Sequence, residues 1–245
     1  MQTSLNPPQL PKVHLSETKI LRTSNFIAQS VALIREAAAQ AIASSGIFRL
    51  GLAGGNTPRA VYRALAESAT DLPWERVYIS FGDERCVPPD HADSNYRMAH
   101  EALLSQVPIP SEQVFRIRGE TNPDEAAAEC AARLSAMAAQ LNEPVYRHDL
   151  LLLGLGEDGH TASLFPGSPA LDEQERLLLP TIGPKPPPQR ITFSYRLINA
   201  SRRIVFLLND PAKEPVLQGA LRGEFPSGRV LPEAGCLTWV VGSGA

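Results

Sequence analysis

Cysteine is scarce and scattered: Cys86, Cys130 and Cys236 are the three in 245 residues. They form no C-x-x-C pair, and an odd, widely spaced set does not build a disulfide framework. Small buried thiols in a reducing compartment are the expectation. Runs of Lys or Arg are also missing, and 23 basic residues stand against 26 acidic ones, for a net charge of −3. That balance gives no reason to expect a nucleic-acid partner. No apolar run approaches the ~20 residues needed to cross a bilayer. Met1 to Leu15 holds prolines and polar side chains in place of an apolar signal core. A cytoplasmic protein with no membrane partner is expected. Metal-ligand spacings such as H-E-x-x-H are absent too, so no metal site is expected.

What is present is an ordinary globular composition, 43% hydrophobic and 20% charged. It fits one large α/β domain or two small ones, with no internal repeat. Apolar runs alternate with helical patterns along the chain. Ser24 predicts a helix start, and Gly46 ends that helix. Residues 47–53 read as a buried strand, Gly54–Pro58 as a turn, and Val61, Tyr62 and Leu65 as the stripe of a second helix. A strand at 77–81, a loop at 82–93 and a helix at 94–105 follow. Residues 114–117 make a short strand. Asn122-Pro123-Asp124-Glu125 opens a helix running to about Leu141, with a cap, a first-turn proline and first-turn acids. Residues 149–153 read as a central strand covered on both faces. Further strands are expected at 177–182, 191–195, 204–208 and 237–241, with a helix after Asp210. Gly183–Pro188 reads as a rigid connector. This alternation implies a doubly wound, mostly parallel sheet. Ligands then bind at the loops leaving the carboxyl ends of strands.

Three such loops stand out. Gly54-Gly55-Asn56-Thr57-Pro58 offers N–H groups and a hydroxyl at a helix start, a fit for an anion or simply a tight turn. It lacks the Lys-Ser/Thr of a nucleoside-triphosphate loop. Gly82-Asp83-Glu84-Arg85 puts three charges directly after a buried strand. The plain reading is a solvated turn; the functional one has Arg85 holding an anion or carbonyl oxygen, with Asp83 orienting a donor or accepting a proton. Residues 154–160 match G-x-G-x-x-G literally, but the segment comes late and Pro166 interrupts any long helix, so a dinucleotide is not expected. His160 stands in that loop with Asp158 two residues away, a fit for general-base work. His14, His91, His100 and His148 carry no such context. Arg190 and Lys213, each ordinary as a lone surface charge, could join the first loop around a phosphate.

Gly54–Pro58, Gly82–Arg85, Asp93-Ser94-Asn95, the run from Gly156 to Pro166, Arg190-Ile191-Thr192 and Lys213 together resemble the 6-phosphogluconolactonase family. The likeness spans the chain from about Leu15 onward and is most specific between Gly156 and Pro166. It implies one domain over 1–245 with a Rossmann-like sheet and helices on both faces, akin to glucosamine-6-phosphate deaminase. It implies hydrolysis of 6-phosphoglucono-1,5-lactone in the oxidative pentose phosphate pathway, without metal or organic cofactor. In that pattern His160 activates water, and Asp83 and Arg85 position substrate or stabilise charge at the lactone carbonyl. Either Asp158 or Asp83 orients the imidazole. Gly55, Asn56, Thr57, Arg190 and Lys213 hold the 6-phosphate. One departure is Asn209-Asp210-Pro211-Ala212 before Lys213, where the family often has a glycine-led turn. A deaminase or isomerase of amino-sugar phosphates is the nearest rival, but such enzymes use an acid shortly after the histidine, and residues 161–165 contain none. A non-catalytic sugar-phosphate sensor is a second rival, without a DNA-binding segment to support it.

Overall fold

In the computed structural model, the described residues are 17–69 and 71–243. Their order is β1 (Glu17–Thr23), α1 (Phe26–Ser45), β2 (Phe48–Leu52), α2 (Asn56–Ser68), β3 (Val77–Phe81), β4 (Asp83–Arg85), α3 (Asn95–Ala102), β5 (Val114–Phe115) and α4 (Pro123–Gln140). Then come β6 (Leu150–Leu153), β7 (Leu178–Ile182), β8 (Gln189–Phe193), α5 (Tyr195–Asn199), β9 (Arg203–Leu208), α6 (Glu214–Leu221) and β10 (Cys236–Gly242). His14 and the Met1–Leu15 segment lie outside the described residues.

Seven strands form one sheet in the order β1-β10-β9-β6-β2-β3-β5, every pair parallel. β2 and β6 are buried at every position, as a parallel strand covered on both faces must be. α1 packs on β2, β10 and α2, and α2 meets α3, while α4 packs against β5, β7 and β8. This is the doubly wound α/β arrangement. β2 and β6 are neighbours whose onward connections run to opposite sides of the sheet, so their carboxyl ends flank a switch-point crevice.

The remaining three strands are not part of that sheet. β4, β8 and β7 pair antiparallel in a small second sheet, so the expected strands at 177–182 and 191–195 do not extend the parallel one. Residues 183–188 are accordingly the tip of a hairpin rather than a connector, with Gly183 N–H donating to Pro188 O at 2.7 Å. The charged segment after β3, expected as loop, is β4.

Local chemistry accounts for most element ends. Asn122 accepts from the Asp124 and Glu125 N–H groups, with Pro123 in the first turn of α4. Gly46 closes α1 at φ 81°, a left-handed value that glycine adopts without strain. The cap of α1 is Asn25 rather than Ser24, and its side chain makes no capping bond. β1 has no counterpart in the sequence reading. It is an exposed edge strand, and its mixed polar pattern hides the one pairing it makes, with β10.

At the amino ends of the strands lies a buried ion cluster. Arg49, 1% exposed, donates to both oxygens of Asp149 at 3.0 Å and to Glu143 at 2.5 Å. His148 is fully buried beside it, with Nε2 2.8 Å from Ser80 Oγ. Burial, then the Arg49 charge, pushes its pKa down to about 3, so it is a neutral core residue. His91 holds the Asp93 N–H and His100 lies against the Tyr96 ring. Of the cysteines, Cys130 is buried, while Cys86 and Cys236 are half-buried, and all three are free thiols.

Candidate active site

The carboxyl ends of β2, β3 and β6 open onto a cavity of about 260 Å³, walled by the three glycine-bearing loops together with Arg190 and Lys213. A second lobe of about 360 Å³ adjoins it, bounded by Glu157, Asp158, Phe165 and the hairpin tip. Arg85, Gly156, His160, Arg190 and Lys213 line both lobes.

The first loop reaches the cavity through α2. Gly55 caps this helix at φ 104° and ψ 174°, a conformation essentially restricted to glycine. The first N–H groups of a helix have no partner inside it. Pro58 has none to offer, so Asn56 and Thr57 supply the free donors, and the helix dipole favours an anion there. Behind the loop, the buried Tyr62 hydroxyl accepts from Ala53 N–H at 2.8 Å and donates to Ala53 O at 2.9 Å. The exit of β2 is thereby fixed.

Two guanidiniums come from the small sheet. Arg85 and Arg190 are register partners on β4 and β8. Arg190 is 8% exposed and, among the described residues, donates to two carbonyl oxygens, Pro187 O at 2.8 Å and Lys185 O at 3.3 Å. Burial, followed by repulsion from Arg85, holds its pKa below the ordinary arginine value. Arg85 donates to Asp93 O at 2.5 Å, while its buried Nε has no hydrogen-bond partner among the described residues. Like charges placed opposite each other across a ladder repel, so this pair favours an anion between them. Lys213 completes the wall, its Nζ 2.6 Å from Leu155 O, so the Asn209–Ala212 turn does not keep it from the cavity.

The imidazole of His160 rests over Gly156. A Cβ on that glycine would stand 2.1 Å from Nδ1, so only a bare Cα fits. Nδ1 is 2.5 Å from Asp158 Oδ1, and the same oxygen accepts the His160 N–H at 3.1 Å. An ionised carboxylate only accepts, so the proton sits on Nδ1 and Nε2 keeps its lone pair. Partial burial alone would raise the Asp158 pKa, but the bonds from His160 outweigh it and hold the carboxyl below its usual range.

Of the two carboxylates that sequence spacing left open, geometry puts Asp158 on the imidazole. Asp83 is otherwise engaged: Asn95 Nδ2 donates to its Oδ1 at 3.0 Å and Ser163 Oγ to its Oδ2 at 2.6 Å. It lines the first lobe while tying β4 to α3 and the third loop. Three contributors escaped sequence reasoning. Glu84, 2% exposed, accepts from Arg85, Asn95 and Tyr96 N–H and from Ser94 Oγ. Burial pushes its pKa up, opposed by those backbone donors. Asn95 and Ser163 belong to recognisable motifs, yet nothing local marks them as the two donors on Asp83. Among the described residues no group of three or more His, Cys, Asp or Glu side chains forms a metal site, and no helix is long and apolar enough to cross a membrane. The glycine-rich run after β6 leads into turns rather than a helix, which is not the setting of a dinucleotide fingerprint.

Comparisons with known proteins place the chain in a family. The model of a family described as glucosamine-6-phosphate isomerases/6-phosphogluconolactonase matches residues 22–239. The 6-phosphogluconolactonase of a Nostoc species is 37% identical over 90% of this chain and 92% of its own. The Homo sapiens protein of that name is 39% identical over 81% of this chain and 79% of its own. Among solved structures, 6-phosphogluconolactonase from Thermotoga maritima superposes with a TM-score of 0.83 at 28% identity, covering 93% of this chain and all of that one. The Trypanosoma brucei enzyme gives 0.77 at 29%, over 92% and 95% of the two chains. The chain belongs to the glucosamine-6-phosphate isomerase/6-phosphogluconolactonase family.

Proposed function

We propose that this chain is a single-domain cytoplasmic hydrolase that converts 6-phospho-D-glucono-1,5-lactone to 6-phospho-D-gluconate in the oxidative pentose phosphate pathway, with no nucleic-acid partner. The observation that carries the reading is the shared wall of the two lobes, where one imidazole with a free Nε2 faces three cations. A base and an anion cradle within one small cavity suit a phosphorylated, electrophilic sugar.

The chemistry follows from the groups. Arg190, Lys213, Thr57 and the N–H groups at Gly55 and Asn56 hold the 6-phosphate. Binding that remote group fixes the lactone carbonyl near His160. Nε2 takes a proton from water as the water oxygen bonds to C1. Arg85, half-buried with its Nε shielded from solvent, donates to the tetrahedral oxyanion, where a fixed donor is worth most. Collapse breaks the bond from C1 to the ring oxygen. His160 returns its proton to that oxygen, and Asp158 steadies the imidazolium meanwhile. Asp83 holds the floor of the first lobe through Asn95 and Ser163. A lactone is an activated ester, so no covalent enzyme intermediate is needed.

The test is a time course of lactone disappearance for wild type and His160→Ala, with spontaneous hydrolysis subtracted. General-base catalysis is worth roughly 10²–10⁴-fold, and a loss of that size is expected. Undiminished kcat/KM in a folded variant overturns the assignment. Release of ammonia from glucosamine 6-phosphate would favour the deaminase instead.

A further inference from the structure

We propose that Phe165 is a positioning residue for His160, braced from behind by Gly183 on the β7–β8 hairpin; the inference rests on His160 being the base. The bond from Asp158 sets the tautomer, but one contact at Nδ1 leaves the imidazole free to turn about it. Gly156 closes one side of the ring. Phe165 closes another: the two ring centroids are 4.6 Å apart, with the planes 45° to each other. The Phe165 ring, 7% exposed, has no polar atom and takes no part in the chemistry. What it offers the imidazole is a fixed surface.

That surface is itself supported. Phe165 ends the third loop, where Leu164 N–H donates to Thr161 O at 2.9 Å and Ser168 N–H donates to Phe165 O at 3.1 Å. On the hairpin side, a Cβ at Gly183 would stand 3.2 Å from Cε2 and Cζ of Phe165 and 3.4 Å from Arg190 Nε. Gly183 therefore fits between the aromatic ring and the guanidinium with no room to spare. Arg190 also holds the hairpin tip through Lys185 O and Pro187 O. The general base and a phosphate-binding cation thus lean on the same strand turn, one through Phe165 and the other directly. Pure core packing would make Phe165 matter to stability alone. Contact with the reacting imidazole makes it matter to turnover at a given substrate affinity.

The test uses Phe165→Ala, Phe165→Leu and Gly183→Ala in the full chain. Each is measured for kcat, KM, thermal midpoint and the ¹H–¹⁵N spectrum of the His160 ring. Misplacing a catalytic group by about 1 Å can lower the rate on the order of 10²-fold. Phe165→Ala is expected to lower kcat about ten- to a hundred-fold, with KM within about threefold of wild type. Phe165→Leu falls between. The wild-type ring should show the single Nδ1–H tautomer, and Phe165→Ala an exchanging mixture. Gly183→Ala keeps the aromatic ring but presses on it, and should lower kcat by a smaller factor while the protein stays folded. The proposal is overturned if the Phe165 variants melt earlier yet keep kcat and the wild-type imidazole spectrum, or if only KM changes. Should wild type fail to hydrolyse the lactone, the functional reading falls, while the imidazole spectra still decide whether Phe165 positions the ring.

Discussion

Arg85 and Arg190 face each other as register partners on antiparallel strands, and among the described residues no carboxylate is hydrogen-bonded to either guanidinium. Such a pair is at odds with itself until an anion arrives. Inorganic phosphate should therefore stabilise the protein. At a hundredfold excess over Kd the linkage is about 2.7 kcal/mol, a rise of roughly 5–10 °C in Tm for a chain of this size. Arg190→Ala should lose more than half of that shift in differential scanning fluorimetry. An equal shift in the variant would remove Arg190 from the phosphate site.

Lys213 and Arg190 should also discriminate between substrates. Alanine at either position should raise KM for the 6-phosphorylated lactone by about tenfold or more, the worth of one charge-assisted hydrogen bond. An unphosphorylated lactone should respond little. Parallel losses on both substrates would contradict the assignment.

Asp158→Ala removes the acceptor that holds the proton on Nδ1. The imidazole can then carry its proton on Nε2, where it is no base. Turnover should fall, by up to the roughly 10²–10⁴-fold expected of His160→Ala. Asp158 is exposed, so the fold should persist, with stability lower by about 1 kcal/mol or less. Full activity in this variant would show that some other group sets the tautomer.

Gly55→Ala forces a side chain into a backbone region at φ 104°. The strain is about 1–3 kcal/mol, and relieving it turns the N–H groups of α2 away from the anion. Both a lower urea midpoint and a weaker phosphate shift are expected. Loss of stability with phosphate binding intact would separate the loop's conformation from its function.

The buried His148 gives a pH signature. Its folded pKa is lowered to about 3, against about 6.5 in the unfolded chain. Below pH 6.5 the unfolded state binds a proton that the native state refuses. Stability is thus complete above that pH and declines as acid is added, by about 1.4 kcal/mol per pH unit. Urea unfolding between pH 7 and pH 5 should show this slope, and His148→Gln should flatten it. An unchanged slope in the variant would locate the titration elsewhere.

How much of this was readable in the residues depends on distance along the chain. Asn122 over α4 and Gly46 closing α1 are local patterns, so each appears as expected, whereas spacing left Asp83 and Asp158 as equal candidates for the His160 imidazole. Alternation of apolar runs with helical periods also carried the parallel sheet. Pairings across long stretches left no such mark. β4 reads as a charged loop until β8, about a hundred residues later, supplies its partner. Glu84 looks like a solvated acid, but is buried because three backbone N–H groups converge on it. Arg49 in an otherwise apolar strand makes sense only with Asp149 alongside. β1 is mostly polar because an edge strand has little to bury.

The placement of β10 has a consequence for synthesis. Residues 236–242 lie between β1, from the start of the described chain, and β9. Until this segment leaves the ribosome, β1 has no neighbour in the sheet and β9 keeps an open edge. The nascent chain therefore carries the unpaired β1 ladder through almost all of its elongation, joined late by the open edge of β9 once residues 203–208 are made. A stalled or shortened product ending before Cys236 would keep both exposed, as a template for self-association rather than a slightly trimmed enzyme.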